Sequence, residues 1–223
     1  FHGKLKQKCA GAAAPESGRA PERMCEGVLK NFTKKEKSWM MYDWANSAHS
    51  VIIVTLLPIF FDTVAGYTAD SVSSMSTWGY ATSIAMLIVA LAAPFLGVFG
   101  DIRGMRKKLF SFFMLLGVAA CAGMAFTPGM DFTSGPVAAG KVATLILVLY
   151  IVSVIGFDAS AIYYDAFLTD VTIEDRMDKV STMGYGLGYI GGSTIPLLIF
   201  LIMNLVGVPM LTCLAFVFGL TAV

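Results

Sequence analysis

The polar residues with the clearest chemistry lie at the entry to the first long apolar run, MMYDWANSAHSVIIVTLLPIFF, residues 40 to 61. At about 100° per residue, Asp43, Asn46, Ser47 and Ser50 fall at i, i+3, i+4 and i+7, one stripe of a helix, with His49 on its flank. A carboxylate here can carry a proton or hold a cationic group of a solute, and the amide and hydroxyls can hydrogen-bond a solute or a neighbouring helix. Facing lipid near mid-bilayer, an Asp costs about 2.5–3.5 kcal/mol on insertion scales, so the stripe must turn to other helices or to a water-filled cavity. Two roles stay open for Asp43, capping the helix at the membrane surface or touching solute. The same holds for Asn46 and Ser47, between bonding a neighbouring helix and lining the cavity. His49 suits packing with a satisfied ring nitrogen.

A second constellation lies in LYIVSVIGFDASAIYYDAFLTD. Asp158 and Asp165 are seven residues apart, two turns along one helix face and about 10 Å in rise. Asp158 is the deeper, a coupling or substrate candidate or else a buried partner for another helix; Asp165 is nearer the polar end, where water can solvate it. In MGYGLGYIGGSTIP, Gly184, Gly188 and Gly192 form two overlapping GxxxG steps that suit close helix packing, and Pro196 permits a bend. Tyr185 and Tyr189, one turn apart, are candidates to line a pathway. A charged turn, GVFGDIRGMRKK, combines Gly97 for close helix approach, Asp101 at a helix end, Gly104 for a tight reversal, and Arg106, Lys107 and Lys108 for the headgroup region.

Several chemistries are excluded. Cys9, Cys25, Cys121 and Cys213 are scattered without a CxxC pair or a His at ligand spacing, so neither a metal site nor a disulfide framework is expected. No HExxH or GxSxG motif occurs, and the loops are too short to build an external site, so we expect neither an enzyme nor a cofactor.

The elements that must position these residues are membrane helices. Of the 223 residues, 57% are hydrophobic and 14% charged, with a mean hydropathy of +0.73, far beyond what one soluble core requires. Apolar runs near 45–65, 77–99, 109–127, 142–167, 184–206 and 208–223 predict six spans, each long enough or nearly so to cross about 30 Å of hydrocarbon. Residues 39–223 would form this bundle, preceded by a basic tail, 1–38. The chain begins at Phe1, and its sixth run stops at Val223, so we expect a fragment cut in helix six. Of 16 Lys and Arg, 15 fall in the tail, in the 103–108 turn (Arg103 included) and at Arg176 and Lys179; Lys141 alone falls on the other side. This asymmetry predicts a cytoplasmic N-terminus.

Some of these residues resemble a known family. Gly97, Asp101, Gly104, Arg106 and Lys107 are similar to the signature between helices two and three of major facilitator superfamily transporters, whose acid and bases steady a cytoplasmic gate. Ile102 and Met105 stand where many members carry Arg or Lys. WMMYDWANSAHS and YYDAFLTDVTIEDRMDKVSTMGYGLGYIGG resemble, more specifically, the subgroup of autophagy-linked vacuolar effluxers and their uncharacterised bacterial relatives. Asp165 stands where that resemblance leads to Asn. Glu174 and Arg176 match its acidic-Arg element between helices four and five, the other reading being a solvated loop before a helix start.

The resemblance implies an all-α integral membrane fold, the N-terminal six-helix half of a twelve-helix transporter. It implies a secondary transporter that moves a small polar solute by alternating access, amino-acid efflux being one case. Asp43, Asn46, Ser47, Asp158, Asp165 and Tyr189 are the substrate or coupling candidates. Expected partners are the solute, the lipid bilayer and the missing C-terminal half, with no nucleic acid, in a bacterial plasma membrane rather than a vacuolar one. The alternative is a non-transporting membrane scaffold or a membrane-embedded enzyme, in which the polar stripes only hold helices together.

Overall fold

Backbone surrounded by hydrocarbon must satisfy its own N–H and C=O groups, so the apolar runs of this chain can persist only as helices or as a closed barrel. A computed structural model describes residues 32–68, 71–102 and 104–222, and every regular element among them is helical. Cys9, Cys25, Arg103 and most of the basic tail lie outside the described residues. The bundle, residues 35–223, is one compact unit.

The helices are α1 (Lys34–Thr55), α2 (Leu57–Ala65), α3 (Ser71–Asp101), α4 (Met105–Phe126), α5 (Pro136–Val171), α6 (Glu174–Leu187), α7 (Thr194–Leu205) and α8 (Met210–Leu220). A 3₁₀ turn, Thr127–Gly129, extends α4, and a π-helical segment, Gly188–Ser193, joins α6 to α7. Five helices are long and apolar enough to cross a membrane: Lys34–Ala65, Ser73–Asp101, Met105–Gly129, Pro136–Val171 and Glu174–Leu205. Met210–Leu220 is a shorter apolar helix, the partner of the sixth predicted run. We call Lys34–Ala65 span one and Glu174–Leu205 span five.

Span one stays continuous across Leu56, whose N–H bonds to Ile52 and whose carbonyl accepts from Phe60. Pro58 has no N–H to give Val54, which accounts for the break between α1 and α2. α3 and α4 meet at a reversal in which Gly104 adopts φ 84°, a left-handed conformation that costs glycine little. At the opposite end, Asp131 closes the loop before α5: its Oδ1 accepts from the Thr133 N–H and hydroxyl and from the Ser134 N–H. The hydroxyl of Ser134 and these amides hold the Asp131 carboxyl below the usual carboxylate range.

α5 organises the bundle, packing most extensively on α4 and then on α3. The α4–α5 crossing is backbone on backbone: a Cβ on Gly156 would stand 2.6 Å from the Gly117 nitrogen and 2.7 Å from its Cα. Around it lies an apolar core that includes Ile52, Leu57, Phe60, Met124, Ile146 and Val217, weighted toward the end away from the α3–α4 turn. α3 contributes little to that core. Only 6% of its most apolar window is buried, so Leu91, Phe95 and Val98 face outward, as suits a helix against lipid or a second bundle.

Candidate functional site

α1 lies between two neighbours and turns a different face to each. Toward α5 it presents aromatic residues. Trp39 stacks on Tyr164 with ring centroids 4.4 Å apart, and the two also exchange hydrogen bonds. The Trp39 Nε1–H donates to the Tyr164 carbonyl and the Tyr164 hydroxyl donates to the Trp39 carbonyl, both at 3.1 Å. One turn on, the Tyr42 and Ser160 hydroxyls are 2.7 Å apart. His49 is buried and stacks on Phe157 at 3.8 Å. It packs as expected of it, but its Nε2 has no hydrogen-bond partner among the described residues.

Toward span five α1 presents its polar stripe, and the glycines receive it. A Cβ on Gly184 would stand 2.9 Å from the Trp39 ring and 3.6 Å from Asp43 Oδ2. One on Gly188 would stand 2.5 Å from Ser47 Oγ and 3.2 Å from Asp43 Oδ2, and one on Gly192 would meet the Trp44 carbonyl and stand 2.9 Å from Ser47 Cβ. Asp43 and Ser47 therefore lie directly on the glycine face. Asp43 Oδ2 is buried there without a hydrogen-bond partner among the described residues. Asn46 is half-buried, whereas Ser50 is exposed and donates to the Asn46 carbonyl at 3.3 Å.

Asp165 and Asp43 stand close enough for their charges to interact, and the Tyr42, Tyr164 and Tyr185 hydroxyls belong to the same electrostatic neighbourhood. Around the Tyr164 hydroxyl thus gather a carboxylate from α1, another from α5 and a phenol from span five. Asp165 is exposed and Asp158, two turns along α5, half-buried. Tyr185 and Tyr189 are 60% and 68% exposed, so they project from the glycine helix instead of packing against it.

At the basic end, Arg106 is a hub. Its Nη1 reaches Asp170 Oδ2 at 2.9 Å and the Ala166 carbonyl at 3.4 Å, its Nε donates to the Gly100 carbonyl at 3.4 Å, and Asp101 lies 3.9 Å from Nη2. One guanidinium thereby ties the ends of α3 and α5 to the start of α4. Gly100, Asp101, Gly104, Lys107 and Phe167 share with it a cleft of about 440 Å³. Gly97 has open space where its Cβ would be; the close approach expected of it is made by Gly100, against the Tyr163 ring. Glu174 is exposed and forms no ion pair among the described residues. Arg176 pairs instead with Glu36, Nη2 to Oε2 at 3.2 Å, while Glu36 Oε1 accepts from the Thr172 hydroxyl at 2.8 Å.

Glu36, which lies outside the quoted motifs, and Asp170, which lies inside them without having been singled out, are thus further site residues. For Glu36 a signal existed: it is the acid in the basic run KKEK, and it stands 7 and 11 residues before Asp43 and Ser47, on the same helical stripe.

A family model described as vacuole effluxer Atg22-like matches residues 64–172, a stretch that contains the Arg106 hub, Asp158 and Asp165. The uncharacterised MFS-type transporter YxiO of Bacillus subtilis (strain 168) is 43% identical over 174 residues, covering 77% of this chain and 38% of that protein. The chain therefore spans well under half the length of this curated relative. No solved structure matches the chain significantly. With its apolar helices, its gate-like turn and this likeness to both, the chain belongs to the major facilitator superfamily, in the subgroup of the vacuole effluxer-like proteins.

Proposed function

We propose that the chain forms the N-terminal half of a twelve-helix secondary transporter that moves a small polar solute by alternating access, with amino-acid efflux as the leading case. The observation that carries this reading is Asp43 of α1, whose Oδ2 is buried against the glycine face of span five with no hydrogen-bond partner among the described residues and within electrostatic reach of Asp165 of α5. A carboxylate with a buried, unpartnered oxygen in an apolar bundle is costly unless it takes up a proton or meets a positive group of a solute, and a second acid nearby raises that cost. Asp158 extends the acidic face of α5 toward the bilayer centre and is the candidate for proton coupling. Tyr189 and Asn46 are the candidates for hydrogen bonds to solute, and the Arg106 hub with Asp101 and Lys107 acts as the gate. The twelve-helix arrangement, a cytoplasmic N-terminus and a bacterial plasma membrane complete the reading; the distribution of Lys and Arg supports that orientation.

One observation favours a purely architectural role for part of the stripe. Ser47 Oγ lies against Gly188, which suits it to holding span five more than to contact with solute. A solute screen by thermal shift on the full-length protein tests the proposal, because a ligand of the native state raises its melting temperature. Amino acids should raise it in wild type and do so less in Asp43→Asn. A panel of amino acids and other small polar solutes that leaves it unmoved would remove the reading.

A further inference from the structure

His49 is placed unlike the other polar groups of α1. It is 4% exposed, and its ring lies on that of Phe157 with centroids 3.8 Å apart and planes inclined by 26°. Phe157 in turn lies against Gly117 of α4, where a Cβ would stand 2.8 Å from the phenyl ring. The imidazole thus closes a stack that rests on the backbone of α4. Its Nε2 is buried and has no hydrogen-bond partner among the described residues. Because that atom is enclosed within this bundle, a second bundle packed on the outside does not reach it.

A buried polar atom without a partner calls for a physical reason. In the neutral ring it is a single unmade hydrogen bond. In the imidazolium both nitrogens carry a hydrogen, so Nε2 becomes an N–H without an acceptor on a buried cation, a far larger penalty. Little is at hand to offset that charge. On α1 the nearest acids are Asp43 and Asp62, and on α5 the nearest ionisable groups are Tyr150 and Asp158. α4 has no ionisable residue between Lys108 and Cys121, and span five brings Tyr185 and Tyr189, both exposed. None of these groups acts on the His49 ring. The stacked arrangement and the charged ring therefore exclude one another.

We propose that His49 is a gated proton site: the neutral ring is held on Phe157, and the charged ring exists only in a second arrangement in which it has left that face, so that acid favours the second arrangement. Asn46, half-buried and three residues earlier on the helix, is the neighbour whose side-chain oxygen can accept from the displaced ring. Histidine is the side chain whose charge ordinarily changes between about pH 5 and 8, which puts the switch in the working range of a cell. The site is separate from Asp158 and does not depend on which solute, if any, is moved.

Fluorine NMR tests this on the full-length protein in nanodiscs, without solute, with para-fluorophenylalanine in place of Phe157. The label does not titrate and reports whether the phenyl face is covered. Only the second arrangement takes the proton, so the ratio of uncovered to covered signal should rise about tenfold for each pH unit below about 6.5, the value of a solvated imidazole, and stay flat above it. His49→Gln has no titrating ring, and its ratio should be the same at every pH. His49→Phe keeps a stacking partner and should give the covered signal throughout, which covers a failure of His49→Gln to fold. A wild-type ratio that does not change between about pH 8 and pH 5, or a pH response that survives in either variant, overturns the proposal.

Discussion

Substituting Gly156 by alanine tests the packing that holds the bundle together. The added Cβ would lie 2.6 Å from the Gly117 nitrogen, 2.7 Å from its Cα and 2.9 Å from the Phe113 carbonyl oxygen. Comfortable contacts between such atoms are about 3.5–4.0 Å, so α4 and α5 must part by roughly 1 Å, and no side chain can swing aside to prevent it. Overpacking costs about 1–3 kcal/mol, and a backbone obstacle places this case at the upper end. Alanine returns up to about 1 kcal/mol of helix propensity relative to glycine, leaving a net loss of about 2 kcal/mol. At about 2–4 °C per kcal/mol for a unit of this size, melting should fall by about 4–8 °C. Gly140 lies on the same helix with nothing within 4 Å of its Cβ position, so Gly140→Ala is the control and should melt at or slightly above the parent. Thermal unfolding of the full-length protein in one detergent or nanodisc reads all three. If Gly156→Ala melts no lower than Gly140→Ala, the close α4–α5 crossing is wrong.

The two ion pairs should differ in weight. Arg106→Gln releases an Asp170 whose side chain is 61% exposed and should cost about 0.2–1 kcal/mol. Arg176→Gln leaves Glu36 buried at 3% exposure and should cost about 3 kcal/mol; denaturation midpoints of the two variants give the comparison, and equal effects would contradict it. Tyr164→Phe removes only the hydroxyl bond to the Trp39 carbonyl and should cost about 1 kcal/mol, whereas Tyr164→Ala also loses the stack and should cost about 3–5 kcal/mol. Asp131 supplies a pH test. Because folding holds its carboxyl below the ordinary range, its stabilisation is present above the unfolded value of about 3.9 and is lost as pH falls through the lower folded value. The melting difference between wild type and Asp131→Asn should be constant at neutral pH and vanish in acid, and a difference that grows as pH falls would contradict the sign.

Hydropathy made the helices legible because hydrocarbon leaves the backbone few alternatives. Their ends were less so. α5 runs from Pro136 to Val171, beyond the expected 142–167, because a helix can leave the apolar layer and continue through Thr169 and Asp170 without any hydropathy signal. Likewise α1 begins at Lys34, inside a stretch that reads as basic tail. The four-residue spacing exposed the glycine face of span five, which meets Trp39, Asp43 and Ser47. Gly117 and Gly156 carry no such repeat, so the closest helix crossing was hidden. Ion pairs were hidden for a related reason: Glu36 and Arg176 are separated by 140 residues, and charge sorted by topology shows which end of a helix a residue occupies, not which partner it finds there. Motif spacing brought out Arg106 with Asp101, yet the shorter contact is to Asp170, 64 residues away.

Solute flux in proteoliposomes tests the central claim most directly. The full-length protein, reconstituted with labelled amino acids under an imposed pH gradient, should carry flux that responds to the gradient. Asp43→Asn and Asp158→Asn should each reduce it by at least tenfold, while Gly140→Ala leaves it unchanged. Flux that persists at the wild-type rate in both Asp variants, or no flux of any small polar solute from folded wild-type protein, would contradict the account.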